Sequence, residues 1–123
     1  GCRRNTPIEK IETFVLAELA KHGIDMRCVK GIASVDLKAS EQGLLQFMEK
    51  YNLPGVFYSA GELKEVQGEF TPSAFVQSIA GVDNVCERAA VLASGGKLIV
   101  KKTAHDGVTL AVAEEPLIID FEN

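Results

Sequence analysis

The chain has no tryptophan and only two tyrosines, so its six phenylalanines must supply most of the aromatic packing. Its three cysteines, Cys2, Cys28 and Cys86, are odd in number, far apart and form no CxxC pair. That excludes a disulfide framework and fits a cytoplasmic protein with reduced thiols. With two histidines beside them, they suggest no protein metal site. No apolar run approaches the roughly 18 to 20 residues needed to span a bilayer. Residues 1–5, Gly-Cys-Arg-Arg-Asn, do not open a signal peptide. A basic excess is also missing: 13 Lys and Arg against 17 Asp and Glu leave a net charge of -4. This argues against a general nucleic-acid binder. A small basic pocket remains compatible with it, because a site responds to local charge. Neither GxGxxG nor GxxxxGK[ST] occurs, which disfavours a dinucleotide or P-loop domain. Repeats, low-complexity tracts and long linkers are absent.

What is present fits one compact domain: 123 residues, 46% of them hydrophobic and 24% charged. Thr6-Pro7-Ile8-Glu9 reads as a helix start, with Thr6 as cap, Pro7 at the first helical position and Glu9 closing a capping box. Ile8, Ile11, Val15 and Leu19 keep helical spacing to about His22, and Gly23 stops the helix. Gly31 to Asp36 reads as a short strand. Ser40 is placed to cap a helix whose Leu44, Phe47, Met48 and Tyr51 share a face. Pro54-Gly55 breaks that helix, and Val56-Phe57-Tyr58 is a second strand. Glu62 to Phe70 reads as a helical turn and loop, and Thr71-Pro72-Ser73 as the start of a short helix to about Ala80. Asp83 or Asn84 caps another helix that ends at Gly95-Gly96. Lys97 to Lys102 and Val108 to Val112 are strands of a hairpin turning at His105-Asp106-Gly107. Strands alternating with helices predict a single three-layer α/β/α domain. Its sheet is mixed and mostly parallel, with a C-terminal antiparallel hairpin. Residues 114–123 form a C-terminal extension whose Leu117-Ile118-Ile119 could add an edge strand or pack on a partner. Gly1-Cys2-Arg3-Arg4 has the look of a loop that follows a strand.

The residues with chemical potential fall in loops. Arg3 and Arg4 precede a helix N-terminus, a combination suited to anions; the alternative is a solvated pair. Asp36 and Lys38 follow a strand, where ligands gather in open α/β sheets; equally, they could pair with each other. Ser59 follows the next strand in a small-residue loop, with a helix cap as its other role. It lacks a readable base, and GxSxG does not occur. Lys101 and Lys102 could neutralise carboxylates, although strand alternation sends them to opposite faces. Cys2, beside positive charge, is expected to favour the thiolate, whereas Cys28 and Cys86 read as packing residues. His105 reads as an exposed hairpin residue and His22 as a partner of the helix dipole.

Several stretches in order carry a family resemblance: Gly1-Cys2-Arg3-Arg4-Asn5-Thr6-Pro7, Ala33-Ser34-Val35-Asp36-Leu37-Lys38-Ala39, Phe57-Tyr58-Ser59-Ala60-Gly61-Glu62-Leu63, and Lys101-Lys102 with Gly107-Val108-Thr109-Leu110-Ala111-Val112-Ala113. Together they resemble the C-terminal domain of the cobalamin-biosynthesis protein CbiG and its stand-alone relative CobE. The likeness covers residues 1–113 and departs at Asn5 and Asp106, where the family has glycine. It implies a part in making the corrin ring of vitamin B12. In the anaerobic pathway the full-length family protein is a cobalt-precorrin-5A hydrolase that opens a macrocycle lactone and releases acetaldehyde. The alternative is a non-catalytic precorrin-binding or carrier domain of the CobE type. On this resemblance Asp36 is the candidate catalytic base. Arg3, Arg4, Thr6, Lys38, Ser59, Lys101 and Lys102 are the candidate contacts to a carboxylate-fringed tetrapyrrole. No cofactor is expected, cobalt arriving only within the substrate. The implied partners are a cobalt-precorrin or precorrin and an N-terminal domain of the same parent, with no nucleic acid and no membrane; a homodimer stays open.

Overall fold

The structure, a computed structural model, describes residues 1–71 and 84–116. The helix expected from Pro72 to Ala80 and the Leu117-Ile118-Ile119 segment lie outside the described residues.

Helix α1 spans Ile8–Lys21 and ends at His22 and Gly23 as the spacing predicts. Its start differs: Pro7 is the capping residue and no side chain caps the helix. The Thr6 hydroxyl instead donates back to the Arg3 carbonyl at 2.7 Å, so it closes the preceding turn rather than the helix. A short 3-10 turn, Met26–Cys28, leads to strand β1, Ile32–Val35. A second 3-10 turn begins at once, Asp36–Lys38. Helix α2 follows at Gln42–Lys50 with Glu41, not Ser40, at its cap position. Strand β2, Gly55–Tyr58, runs parallel to β1 with Val35 opposite Tyr58. Helix α3, Ala60–Lys64, starts in a capping box: Ser59 Oγ accepts from Glu62 N–H while the Glu62 carboxylate accepts from Ser59 N–H.

Helix α4 covers Val85–Ser94 and is capped by Asn84, whose side-chain oxygen accepts from Glu87 N–H at 3.2 Å. Strands β3, Lys97–His105, and β4, Val108–Glu114, form the antiparallel hairpin. Asp106 and Gly107 join them, both at positive φ (49° and 82°), as a two-residue hairpin turn of this hand demands. Residues 1–3 continue the pairing beyond β4. Cys2 bridges Val108, Gly1 and Thr109 exchange N–H···O=C bonds, and Arg3 N–H donates to the Gly107 carbonyl at 2.8 Å.

The parallel pair and the hairpin match the mixed strand content expected from the sequence, carried as two sheets of two strands. Helices flank both faces. On one side Ile11, Phe14, Leu44 and Phe47 of α1 and α2 pack with Cys2, Val108, Ile32 and Phe57. On the other, Val35, Ala33 and Tyr58 pack with Leu63 of α3 and Ala89 and Val85 of α4. Neighbours such as Ile32 and Ala33, or Phe57 and Tyr58, go to opposite faces, as the two-residue strand period requires. Fully burying a side chain such as Phe47, 1% exposed, stabilises the fold by about 1.5–3 kcal/mol. Among the described residues no helix is long and apolar enough to cross a membrane.

Candidate functional site

Loops from different parts of the chain meet at one rim. The parallel register of β1 and β2 ends at Val35 opposite Tyr58, so Asp36 and Ser59 leave the sheet side by side. The turn Asp36–Lys38 then delivers the chain to the N-terminus of α2. There the Glu41 carboxylate accepts from Asn5 N–H at 3.0 Å. Two residues on, Gly43 lies so close to the N-terminal loop that a Cβ would meet the Thr6 carbonyl at 2.1 Å. Only glycine allows that approach. The arginine-bearing loop and the Asp36 loop are thus fastened to each other.

The hairpin adds its lysines. Strand β3 carries an extra residue between Leu98 and Val100 and another between Val100 and Thr103. Lys101 and Lys102 therefore sit in a β-bulge, which interrupts the strict alternation expected for the pair. Lys101 is exposed and Lys102 half-buried.

Burial pushes the Cys2 thiol up, against the pull of Lys38, and Glu41 adds to the rise. Burial likewise pushes the Cys86 thiol up, against the pull of Lys102. The thiolate expected at Cys2 is corrected: desolvation outweighs the nearby cations and keeps it a thiol. Cys28 is also not a packing residue; it is exposed.

Each candidate residue has a definite place. Arg3 and Arg4 are exposed, and the Arg3 side chain lies along Gly107 at the hairpin turn. Thr6 is buried with its hydroxyl spent on the Arg3 carbonyl, so it shapes the loop from behind. Asp36 is exposed and Lys38 half-buried at the end of β1. Ser59 is half-buried and its oxygen caps α3. His105 stacks on Phe14, ring centroids 6.2 Å apart.

Sequence reasoning passed over two acids. One is Glu41, the link to Asn5. The other is Glu87, which is wholly buried. Its carboxylate accepts from Thr71 N–H and Oγ at 2.9 Å each and from Lys102 N–H at 2.6 Å. Burial alone would push this carboxyl up. Hydrogen bonds from Lys102, Thr71 and Asn84 outweigh it and hold the group below its ordinary value. The signal was legible: Asn84, followed by Glu87 at the third helical position, is a cap pattern.

A cleft of about 630 Å³ opens elsewhere, between α1 and the hairpin tip, with Lys10, Thr13, Phe14, His105 and Asp106 in its walls. None of Arg3, Arg4, Thr6, Asp36, Lys38, Ser59, Lys101 and Lys102 lines it. Glu9, Glu18 and Asp106 outnumber Lys10 there, which makes it a poor seat for a polyanion. Among the described residues no group of three or more His, Cys, Asp or Glu could hold a metal. The rim thus offers cations and backbone to an anionic ligand. Among the described residues, burial pushes the Cys2 and Cys86 thiols up, and the Ser59 oxygen is engaged as a cap.

The family described as cobalamin synthesis G C-terminus matches residues 1–113. The cobalt-precorrin-5A hydrolase of Salmonella typhimurium is 35% identical over 112 residues, which are 91% of this chain and 32% of that protein. Protein CobE of a Sinorhizobium species is 32% identical over 116 residues, covering 92% of this chain and 75% of that one. The crystal structure of CobE, a protein from the cobalamin biosynthetic pathway, superposes with a TM-score of 0.83 at 28% identity. That match covers 90% of this chain and 83% of the CobE chain. The chain spans about a third of the length of the hydrolase it matches.

Proposed function

The chain belongs to the CbiG C-terminal family, and from that premise we propose that it is the tetrapyrrole-docking part of a cobalt-precorrin-5A hydrolase. Its role in cobalamin biosynthesis is to seat a cobalt-precorrin by its acetate and propionate carboxylates. The observation that carries this reading is the fastening of the loop that bears Arg3 and Arg4 to the Asp36–Lys38 turn, through the Asn5–Glu41 bond and the close approach of Gly43 to Thr6. Cations held by separate loops match carboxylates spread around a ring, and guanidinium groups can take them bidentately. The exposed Lys101 extends the cationic edge, and the small-residue turn at Ser59 lets a wide ring approach the backbone.

Lactone opening with release of acetaldehyde needs water activation and charge stabilisation at a developing oxyanion. The arginines and lysines of the rim supply the second. Asp36 supports a second reading, in which this chain also delivers the base. It is exposed at the carboxyl end of β1 and has no side-chain hydrogen bond or ion pair among the described residues. With the chain covering a third of the hydrolase, docking is the reading we favour, and the water-activating group then belongs to the remainder of a longer parent.

Titration with cobyrinic acid, a cobalt corrinoid whose side chains end in carboxylates, tests this. Binding should weaken with added salt, and Lys38→Met should weaken it about tenfold, the worth of one charge-assisted hydrogen bond. Affinity indifferent to both salt and Lys38 contradicts the proposal. Incubation of the chain alone with cobalt-precorrin-5A separates the two readings. Acetaldehyde release that Asp36→Asn abolishes puts the chemistry here; binding without release leaves docking as the function.

A further inference from the structure

We propose that Glu87 is a positioning residue, which clasps the β3 bulge so that Lys102 is presented to the tetrapyrrole rim. The inference deepens the proposed function and rests on it. A bulge removes an N–H from the strand ladder, and a backbone donor away from water must find another acceptor. At the Lys101-Lys102 bulge that acceptor is a side chain of α4: Glu87 Oε2 takes Lys102 N–H at 2.6 Å. The same carboxylate takes both the N–H and the hydroxyl of Thr71. Asn84, itself wholly buried, fixes the other end of the arrangement. Its oxygen accepts from Glu87 N–H, and its amide donates to the Thr71 carbonyl at 2.8 Å.

The residue type follows from the donors. Two carboxylate oxygens receive three donors and present none in return. Glutamine in the same place would turn an NH₂ group toward at least one N–H or O–H and leave donors facing donors. An apolar residue would leave all three donors without a partner. Burying a carboxylate is costly, and the α3–α4 side of the fold is packed by Val35, Leu63 and Ala89 with no need of one. What the carboxylate adds is a fixed path for the chain at Lys102.

The test compares wild type, Glu87→Gln, Lys102→Met and the double variant, each folded at the assay temperature, by titration with cobyrinic acid. Both single substitutions should weaken binding about tenfold, the worth of a charge-assisted hydrogen bond. In the Lys102→Met background Glu87→Gln should add nothing, because Glu87 acts through Lys102. Additive losses, or a Glu87→Gln protein with lower Tm and unaltered affinity, overturn the inference. Amide exchange at Lys102 tests the clasp with no ligand present. Protection should drop at least tenfold in Glu87→Gln while amides in β4 keep theirs, and unchanged protection at Lys102 contradicts it. Failure of the wild-type chain to bind would count against the docking function, whereas the exchange result would still decide the clasp. If Glu87→Gln does not fold, Glu87→Asp, with its charge one carbon short, takes its place in both measurements.

Discussion

On the α1–α2 side of the strands the buried residues are Cys2, Ile11, Phe14, Leu44, Phe47 and Val108. On the α3–α4 side, Val35, Leu63 and Ala89 share the interior with the wholly buried Asn84 and Glu87. One face is closed by apolar packing with no buried carboxylate among the described residues. The other depends on a carboxylate that must stay ionised. The rim lies where the two meet: Cys2 and Val108 belong to the first, and the Lys102 bulge is tied to the second. Packing supplies the scaffold, and the polar clasp supplies the placement.

The largest effect that would test this contrast is in the apolar half. Phe47→Ala should cost about 3–5 kcal/mol, since a side chain of that size leaves a cavity its neighbours fill only in part. Urea denaturation at pH 7 measures it, and the loss should be the same at pH 4.

The polar half should behave otherwise. Glu87 has a folded-state pKa below its unfolded value of about 4.5. Its contribution is therefore complete above that pH and is lost as pH falls through the lower folded-state value. Glu12 and Asp25 are held low as well, Glu12 by hydrogen bonds from Lys50 and Tyr51 and Asp25 at about 2 by Arg27, so the whole protein weakens in acid. The part due to Glu87 is the difference between proteins. Glu87→Gln should be less stable than wild type by about 1–3 kcal/mol at pH 7, the cost of leaving buried donors unpaired. The gap should narrow below pH 4. A gap that stays constant with pH would erase the distinction between the two faces.

The smallest expected effect is at the surface. Lys10 and Asp106 pair at 3.2 Å between α1 and the hairpin turn, both about half exposed. Lys10→Ala should change stability by less than about 1 kcal/mol, as solvent and salt screen such pairs.

Elements with strong periodicity were legible in the sequence. The apolar face of α2, the stop at Gly23 and the Asp106-Gly107 turn follow from spacing and turn chemistry, and the structure repeats them. Helix starts were less legible. Thr6 and Ser40 are good capping types, yet Thr6 bonds back to Arg3 and the α2 start is set by Glu41. Tertiary demands of the N-terminal loop decide both. For the candidate site, loop membership was readable and assembly was not. That Asn5 meets Glu41, or that Lys102 hangs from Glu87, depends on contacts between residues 36 and 15 positions apart. No local pattern encodes those contacts. The thiol state of Cys2 was misjudged for a related reason: charge is visible in a sequence, burial much less so.

The most direct measurement follows backbone amide shifts of the chain as cobyrinic acid is added. The account predicts shifts at residues 1–5, at Asp36–Lys38 and at Lys101 and Lys102, moving together with one affinity. Shifts confined to Lys10, Thr13, His105 and Asp106, in the cleft between α1 and the hairpin tip, would contradict it.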